Sequence, residues 1–146
     1  MIVKKIRTTY ADVKVKGITL LSAQEYEKAK DYIPLLNDWW WLRSPGTADN
    51  CATYVDAKGS LNKNGHDVGY GSLAVRPAIK IASAENSDVK AGDKIEFAGN
   101  TWTVIPGEMM VCDDIISHHR FARKENSFMI SDVRIYIENW LADRLV

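Results

Sequence analysis

The chain has 146 residues, 46% of them hydrophobic and 26% charged, the size and mix of one ordinary globular domain with a buried core. Lys plus Arg balances Asp plus Glu at 19 against 19, so no basic face for nucleic acid is expected. No apolar run is long enough to span a bilayer, so no membrane association is expected.

The opening Met1-Ile2-Val3-Lys4-Lys5-Ile6-Arg7 lacks the apolar stretch of a signal peptide, which predicts a cytoplasmic or virion-associated protein. Val13 and Val15 read as a short strand that Gly17 breaks, with Ile18-Thr19-Leu20-Leu21 as a second. Ser22 and Glu25 form the S-x-x-E capping box, and a short helix should follow to about Asp31, ended before Pro34. Trp39-Trp40-Trp41-Leu42 is too apolar for a loop and too short for a helix, so it reads as a buried strand, Trp39 and Trp41 on one side and Trp40 on the other. Ser44-Pro45-Gly46 reads as a turn.

Residues 47–73 are rich in Asp, Asn and Gly, which favour tight turns. Short strands are expected there at 52–55, 60–61 and 67–68. Residues 74–81 read as one strand, with Pro77 at an edge or bulge because it cannot donate to a ladder. Residues 82–92 read as a polar connector, 94–97 and 101–105 as a hairpin, and 108–112 as a further strand. Ser131 should cap a final helix whose apolar stripe is Val133, Ile137, Trp140 and Leu141. The pattern predicts a single α+β domain over 1–146, mostly antiparallel short strands with two helices.

Several residues invite a chemical reading. His118 and His119 are adjacent, so on a strand they point to opposite faces and make a poor pair of ligands for one ion. With Asp113 and Asp114 they read as a polar loop and a solvated strand end, and no metal or other cofactor is expected. Cys51 and Cys112 show no zinc or disulfide spacing and no Cys-His-Asn context, so both read as reduced thiols and no catalytic residue is assigned. Arg43 and Arg76 suit an anionic ligand, but a structural role is favoured, a guanidinium beside buried aromatics bonding loop carbonyls.

The segment built for recognition is 47–73. Its candidate ligand-binding residues are Asp49, Asn50, Thr53, Tyr54, Asp56, Lys58, Asn62, Asn64, His66, Asp67, Tyr70 and Ser72. Binding surfaces favour Tyr for rigid amphipathic area and Asn, Ser and Gly for adaptable hydrogen bonding. A long irregular stretch between scaffold strands also tends to be functional.

Trp39-Trp40-Trp41-Leu42-Arg43-Ser44-Pro45-Gly46, then Cys51-Ala52, Tyr54-Val55, Gly59-Ser60 and Ala74-Val75-Arg76-Pro77-Ala78, resemble a domain family of unknown function from gut bacteria and their phages. That family is similar to the C-type-lectin-like and formylglycine-generating-enzyme-like folds, and some relatives resemble the variable proteins of diversity-generating retroelements. The resemblance implies a C-type-lectin-like scaffold and a diversified surface at 47–73. It is specific over residues 18–81. A second, weaker match covers residues 92–141, with Gly92-Asp93, Phe97, Gly99, Trp102, Val104, Cys112-Asp113, Ser131, Arg134 and Trp140-Leu141, in the hairpin and C-terminal helix block 93–146. In the family pattern the second block precedes the first; here it follows. This permuted order implies either a circular permutation or an exchange of segments between subunits in a homo-oligomer. The calcium motifs of lectins are absent, and the cysteine pair of the oxidases does not map onto Cys51 and Cys112.

The expected function is therefore a non-enzymatic binding module, phage or prophage encoded, whose partner is a protein or a surface glycan. Two alternatives stand beside it: an intracellular phage accessory protein that inhibits a host protein, and an oxidase similar to the formylglycine-generating enzymes.

Overall fold

The computed structural model describes residues 2–4, 12–83 and 89–145. In chain order the strands are β1 (Ile2–Lys4), β2 (Asp12–Thr19), β3 (Trp40–Pro45), β4 (Cys51–Val55), β5 (Leu61–Asp67), β6 (Ala74–Val75), β7 (Ala78–Ser83), β8 (Lys94–Phe97), β9 (Asn100–Ile105), β10 (Met109–Cys112) and β11 (Ser117–His118). The helices are α1 (Ala23–Ala29), continued by a 3₁₀ turn at Lys30–Tyr32, and α2 (Asp132–Arg144). The class is α+β, with two helices and mostly antiparallel strands.

The strands form two sheets. One has six strands in the order β1-β2-β7-β10-β9-β8, all antiparallel, and its two edge strands β1 and β8 curl into contact. The other has five strands in the order β11-β6-β3-β4-β5, antiparallel except for the parallel pair β3–β6.

Local chemistry sets the helix starts. Ser22 Oγ accepts from Glu25 N at 3.0 Å while Glu25 Oε1 accepts from Ser22 N at 2.8 Å, so the capping box closes both ways. Ser131 Oγ accepts from Arg134 N at 3.1 Å at the start of α2.

Four elements differ from the sequence reading. Gly17 does not end a strand; β2 runs through it as a bulge, the register shifting between Val15 and Gly17. Ser44 and Pro45 lie inside β3, with Pro45 opposite Ala52, so the turn begins at Gly46. A Cβ at Gly46 would sit 2.3 Å from Asn64 O. The stubs at 60–61 and 67–68 are the ends of one strand, β5. Gly65 lets it continue, at φ +90° within a bulge that sets Asn62 opposite Tyr54 and His66 opposite Ala52. Finally, residues 74–81 are not one strand. The chain leaves the five-stranded sheet after Val75 and joins the six-stranded sheet at Ala78, with Arg76 and Pro77 at the crossing.

Strand alternation divides the core into three clusters. Trp40, Leu42 and Val55 point from one face of the five-stranded sheet toward Ala78, Met109 and Val111 of the other sheet and Tyr26 of α1. Trp41, Ala52 and Tyr54 point from the opposite face and meet Phe121 with Val133 and Ile137 of α2. On the far face of the six-stranded sheet, Ile79, Trp102, Met110 and Cys112 pack under Leu141. Helix α2 thus closes two cores along one apolar stripe, as its spacing predicts, and touches the core of Trp41 within the same chain.

Candidate functional site

The outward part of the Trp41 face carries a cluster of rings around His66. Trp39 stacks on Tyr54 with centroids 5.1 Å apart and planes inclined by 25°. The His66 ring centroid lies 4.6 Å from Tyr70, 6.0 Å from Tyr54, 6.2 Å from Trp41 and 6.4 Å from Trp39. Trp41 is fully buried, Tyr54 is 9% exposed, and Trp39 and Tyr70 are 42% and 49% exposed. The cluster therefore grades from core to solvent. Burial raises the Tyr54 phenol above its ordinary pKa, with Asp56 adding to the effect, so the phenol is neutral at pH 7.

The loops around these rings are held by backbone bonds rather than left loose. Val68 N donates to Asn50 O at 2.8 Å, and Tyr70 N donates to Asp67 O at 3.1 Å. Asp67 Oδ1 accepts from Gly69 N at 2.8 Å. Asn126, which no sequence pattern singled out, ties down the 47–50 turn. Its Nδ2 donates to Ala48 O and Cys51 O, each at 3.1 Å, and its backbone N donates to Asp49 O.

The twelve sequence-predicted residues fall into separate groups. Asp49, Asn50, Asn64, His66, Asp67 and Tyr70 gather at the Cys51 end of the β4–β5 hairpin, with Ser72 exposed in the loop that follows. Asp56 and Lys58 lie at the opposite end, in the 56–60 turn beside α1, with Asn62 next to them at the start of β5. There Asp56 accepts from Lys58 N at 2.9 Å, Ser60 N at 3.0 Å and Asn62 Nδ2 at 3.5 Å. Those bonds, the one from Ser60 foremost, hold the Asp56 carboxyl below its usual range. Thr53 is buried and its Oγ1 donates to Ser44 O at 3.0 Å. Tyr54 is the underlay of Trp39 rather than an exposed contact.

Trp39 is the residue the sequence reading placed too deep. Alternation puts it on the side of Trp41, but it precedes β3 and stands out into solvent. Beside it, Asp38 Oδ2 meets His118 Nε2 at 2.7 Å, and His119 stacks on Tyr136 at 4.8 Å. The two histidines thus have different neighbours, and among the described residues no group of three His, Cys, Asp or Glu comes together.

Asp113 also departs from expectation. It is not a solvated strand end, since its carboxylate pairs with Lys94 at 2.8 Å and accepts a hydrogen bond from Thr103. Arg76 matches the structural role expected of it. Its Nε donates to Cys112 O at 2.6 Å, its Nη2 to Asp113 O at 3.1 Å, and its Cζ lies 5.0 Å from the Trp40 ring. Cys112 is wholly buried in β10 and Cys51 partly exposed in β4, both as free thiols in different sheets. Burial pushes the Cys112 thiol up to about 11. Among the described residues no helix is long and apolar enough to cross a membrane.

No curated protein and no solved structure matches the chain. A family model does match, over residues 8–83, just over half of the chain. That span includes β2 through β7 and with them α1, Trp39, the β4–β5 hairpin and Arg76. The chain therefore belongs to the family described as a domain of unknown function, DUF6273.

Proposed function

We propose that the protein is a non-enzymatic binding module on a C-type-lectin-like scaffold. Its recognition surface is the ring cluster of Trp39, His66 and Tyr70 with the polar rim of Asp49, Asn50, Asn64, Asp67 and Ser72. The observation that carries this reading is the pair of half-exposed rings, Trp39 and Tyr70, gathered about His66 of the β4–β5 hairpin. A large indole and phenol left in water, braced from below by Tyr54, offer amphipathic area at little entropic cost on binding. The partner is a surface glycan or a protein, since both offer apolar faces for the rings and polar groups for the rim. The resemblance to variable proteins of diversity-generating retroelements supports the same segment as the recognition surface, in a phage or prophage setting.

The oxidase alternative draws no support from Cys112. A reactive cysteine needs a lowered pKa and access, whereas Cys112 is buried and its pKa is raised. An inhibitor of a host protein would use the same surface, so the class of partner separates the two non-enzymatic readings. The test is a screen of the folded protein against an array of bacterial and host glycans and a displayed library of bacterial proteins. Saturable hits that disappear in a Trp39→Ala/Tyr70→Ala variant are expected. Hits that persist unchanged in that variant, or none at all, would count against the proposal.

A further inference from the structure

On the opposite face of the five-stranded sheet from the ring cluster, beneath α1 and the 3₁₀ turn, lies a cavity of about 170 Å³. Its wall is mixed: Trp40, Tyr26, Leu36 and Val55 supply an apolar and aromatic part, and polar and charged groups the rest. Trp40 and Tyr26 meet edge to face at 5.5 Å, and Tyr26 Oη donates to Gly59 O at 2.6 Å. The Tyr26 hydroxyl is thereby committed as a donor to the protein. Arg76 also lines the cavity and is only 1% exposed, so it stands at the base. Lys30 and Lys58, both exposed, lie at the rim, against one acid, Asp31.

A guanidinium this deep is costly unless its charge and its donors are met. Two of its nitrogens bond backbone carbonyls, those of Cys112 and Asp113, which carry no charge. Among the described residues Nη1 has no hydrogen-bond partner and no carboxylate lies within ion-pair distance. The neighbouring acid, Asp113, has both carboxylate oxygens turned to Lys94 and Thr103. Burial also lowers the Arg76 pKa to about 10, and the charges of Asp113 and Asp114 offset it only in part.

We propose that this cavity binds the carboxylate of a small organic acid, with Arg76 Nη1 donating to it, the two lysines drawing it in, and its hydrocarbon part resting on Trp40 and Val55. The volume is well below the roughly 300–1,000 Å³ of sites for drug-sized ligands, so the occupant is short. One free guanidinium nitrogen beside the Trp40 and Val55 side chains suits a monoanion with a short carbon chain; a phosphate dianion would need more donors than that nitrogen offers. The same carboxylate chemistry is carried by a free short-chain acid and by the C-terminus of a peptide, and the probes below separate the two.

The test is a titration of the folded protein followed by NMR at the Arg76 Nε–H resonance, with the melting temperature as a second readout. The probes are sodium butyrate, its neutral amide butyramide, and N-acetyl-alanyl-alanine with its C-terminal amide, all at ionic strength matched with sodium chloride. Butyrate should shift the Arg76 resonance saturably and raise the melting temperature, and butyramide should do neither. An equal or stronger response to N-acetyl-alanyl-alanine, lost in its amide, would assign the site to a peptide C-terminus. A Lys30→Glu/Lys58→Glu variant, altered only at exposed positions, should bind butyrate about threefold more weakly. An Arg76→Lys variant that folds should lose about tenfold, because an ammonium does not replace the guanidinium fork. An equal response to butyramide or chloride, an unmoved Arg76 resonance, or unchanged affinity in the double lysine variant would overturn the proposal.

Discussion

Trp40 and Trp41 are neighbours in the chain and serve different cores. Trp40 meets Tyr26 edge to face at 5.5 Å on one side of the five-stranded sheet, and Trp41 meets Phe121 at 5.6 Å on the other. The indole N–H of Trp41 donates to His119 O at 2.8 Å, which pins the strand to the loop before α2. This alternation gives the domain two faces to use, the ring cluster on one and the Arg76 cavity on the other.

Trp41→Ala should cost about 3–5 kcal/mol, since it empties a large buried site and leaves the His119 carbonyl without its donor. Trp39→Ala, removing a half-exposed ring that stacks only on Tyr54 and the edge of His66, should cost about 1 kcal/mol or less. Chemical denaturation of both variants measures the contrast. Equal costs would mean that Trp39 is part of the core and not of an exposed surface.

The two thiols should differ sharply. Cys112 is buried with its pKa raised to about 11, while Cys51 is partly exposed. At pH 8, a thiol-specific disulfide reagent should modify one cysteine per native chain and two per unfolded chain. Mass spectrometry should place the native adduct on Cys51, and rapid native modification of Cys112 would contradict the packing described for β10.

The start of α1 should be acid-sensitive. Burial alone would raise the Glu25 carboxyl, but hydrogen bonds from Arg43 and Ser22 outweigh it and hold the folded value below the ordinary 4.5. A group depressed in the folded state stabilises the fold fully above its unfolded pKa, and that contribution is lost as pH falls through the folded value. Glu25→Gln should therefore lower stability at pH 7, and its difference from the parent should shrink below pH 4.5. A difference that stays constant from pH 7 down to pH 3 would show that the Arg43 pair at 2.5 Å does not act through charge.

The parts of this fold that sequence discloses are those decided within a few residues. Ser22 with Glu25, Ser131 before α2, and the facing of the three tryptophans each follow from one side chain and its immediate backbone. The crossing at Arg76-Pro77 was hidden because Val75 and Ala78 are equally apolar and equally buried; nothing local says that they belong to different sheets. The recognition segment was legible as a composition but not as a shape. The turn at 56–60 carries Asp56 and Lys58 to the far end of β4, a separation of about 15 Å at the usual rise per strand residue. The exposure of Trp39 depends on where α2 and the Phe121 segment stop covering the sheet, which is a property of tertiary packing.

The central claim is that the Trp39–Tyr70 face recognises a partner, and a second exposed apolar patch allows it to be tested against a rival. Met129, Ile130 and Ile135 are also exposed, on the turn before α2 and its first part. The decisive measurement compares the affinity of one screened partner for the parent, for Trp39→Ala/Tyr70→Ala and for Ile130→Ser/Ile135→Ser, each checked for an unchanged fold. A loss of about a hundredfold is expected in the first variant, as for two ring contacts in a binding hot spot, and no loss in the second. The reverse order would contradict the central claim.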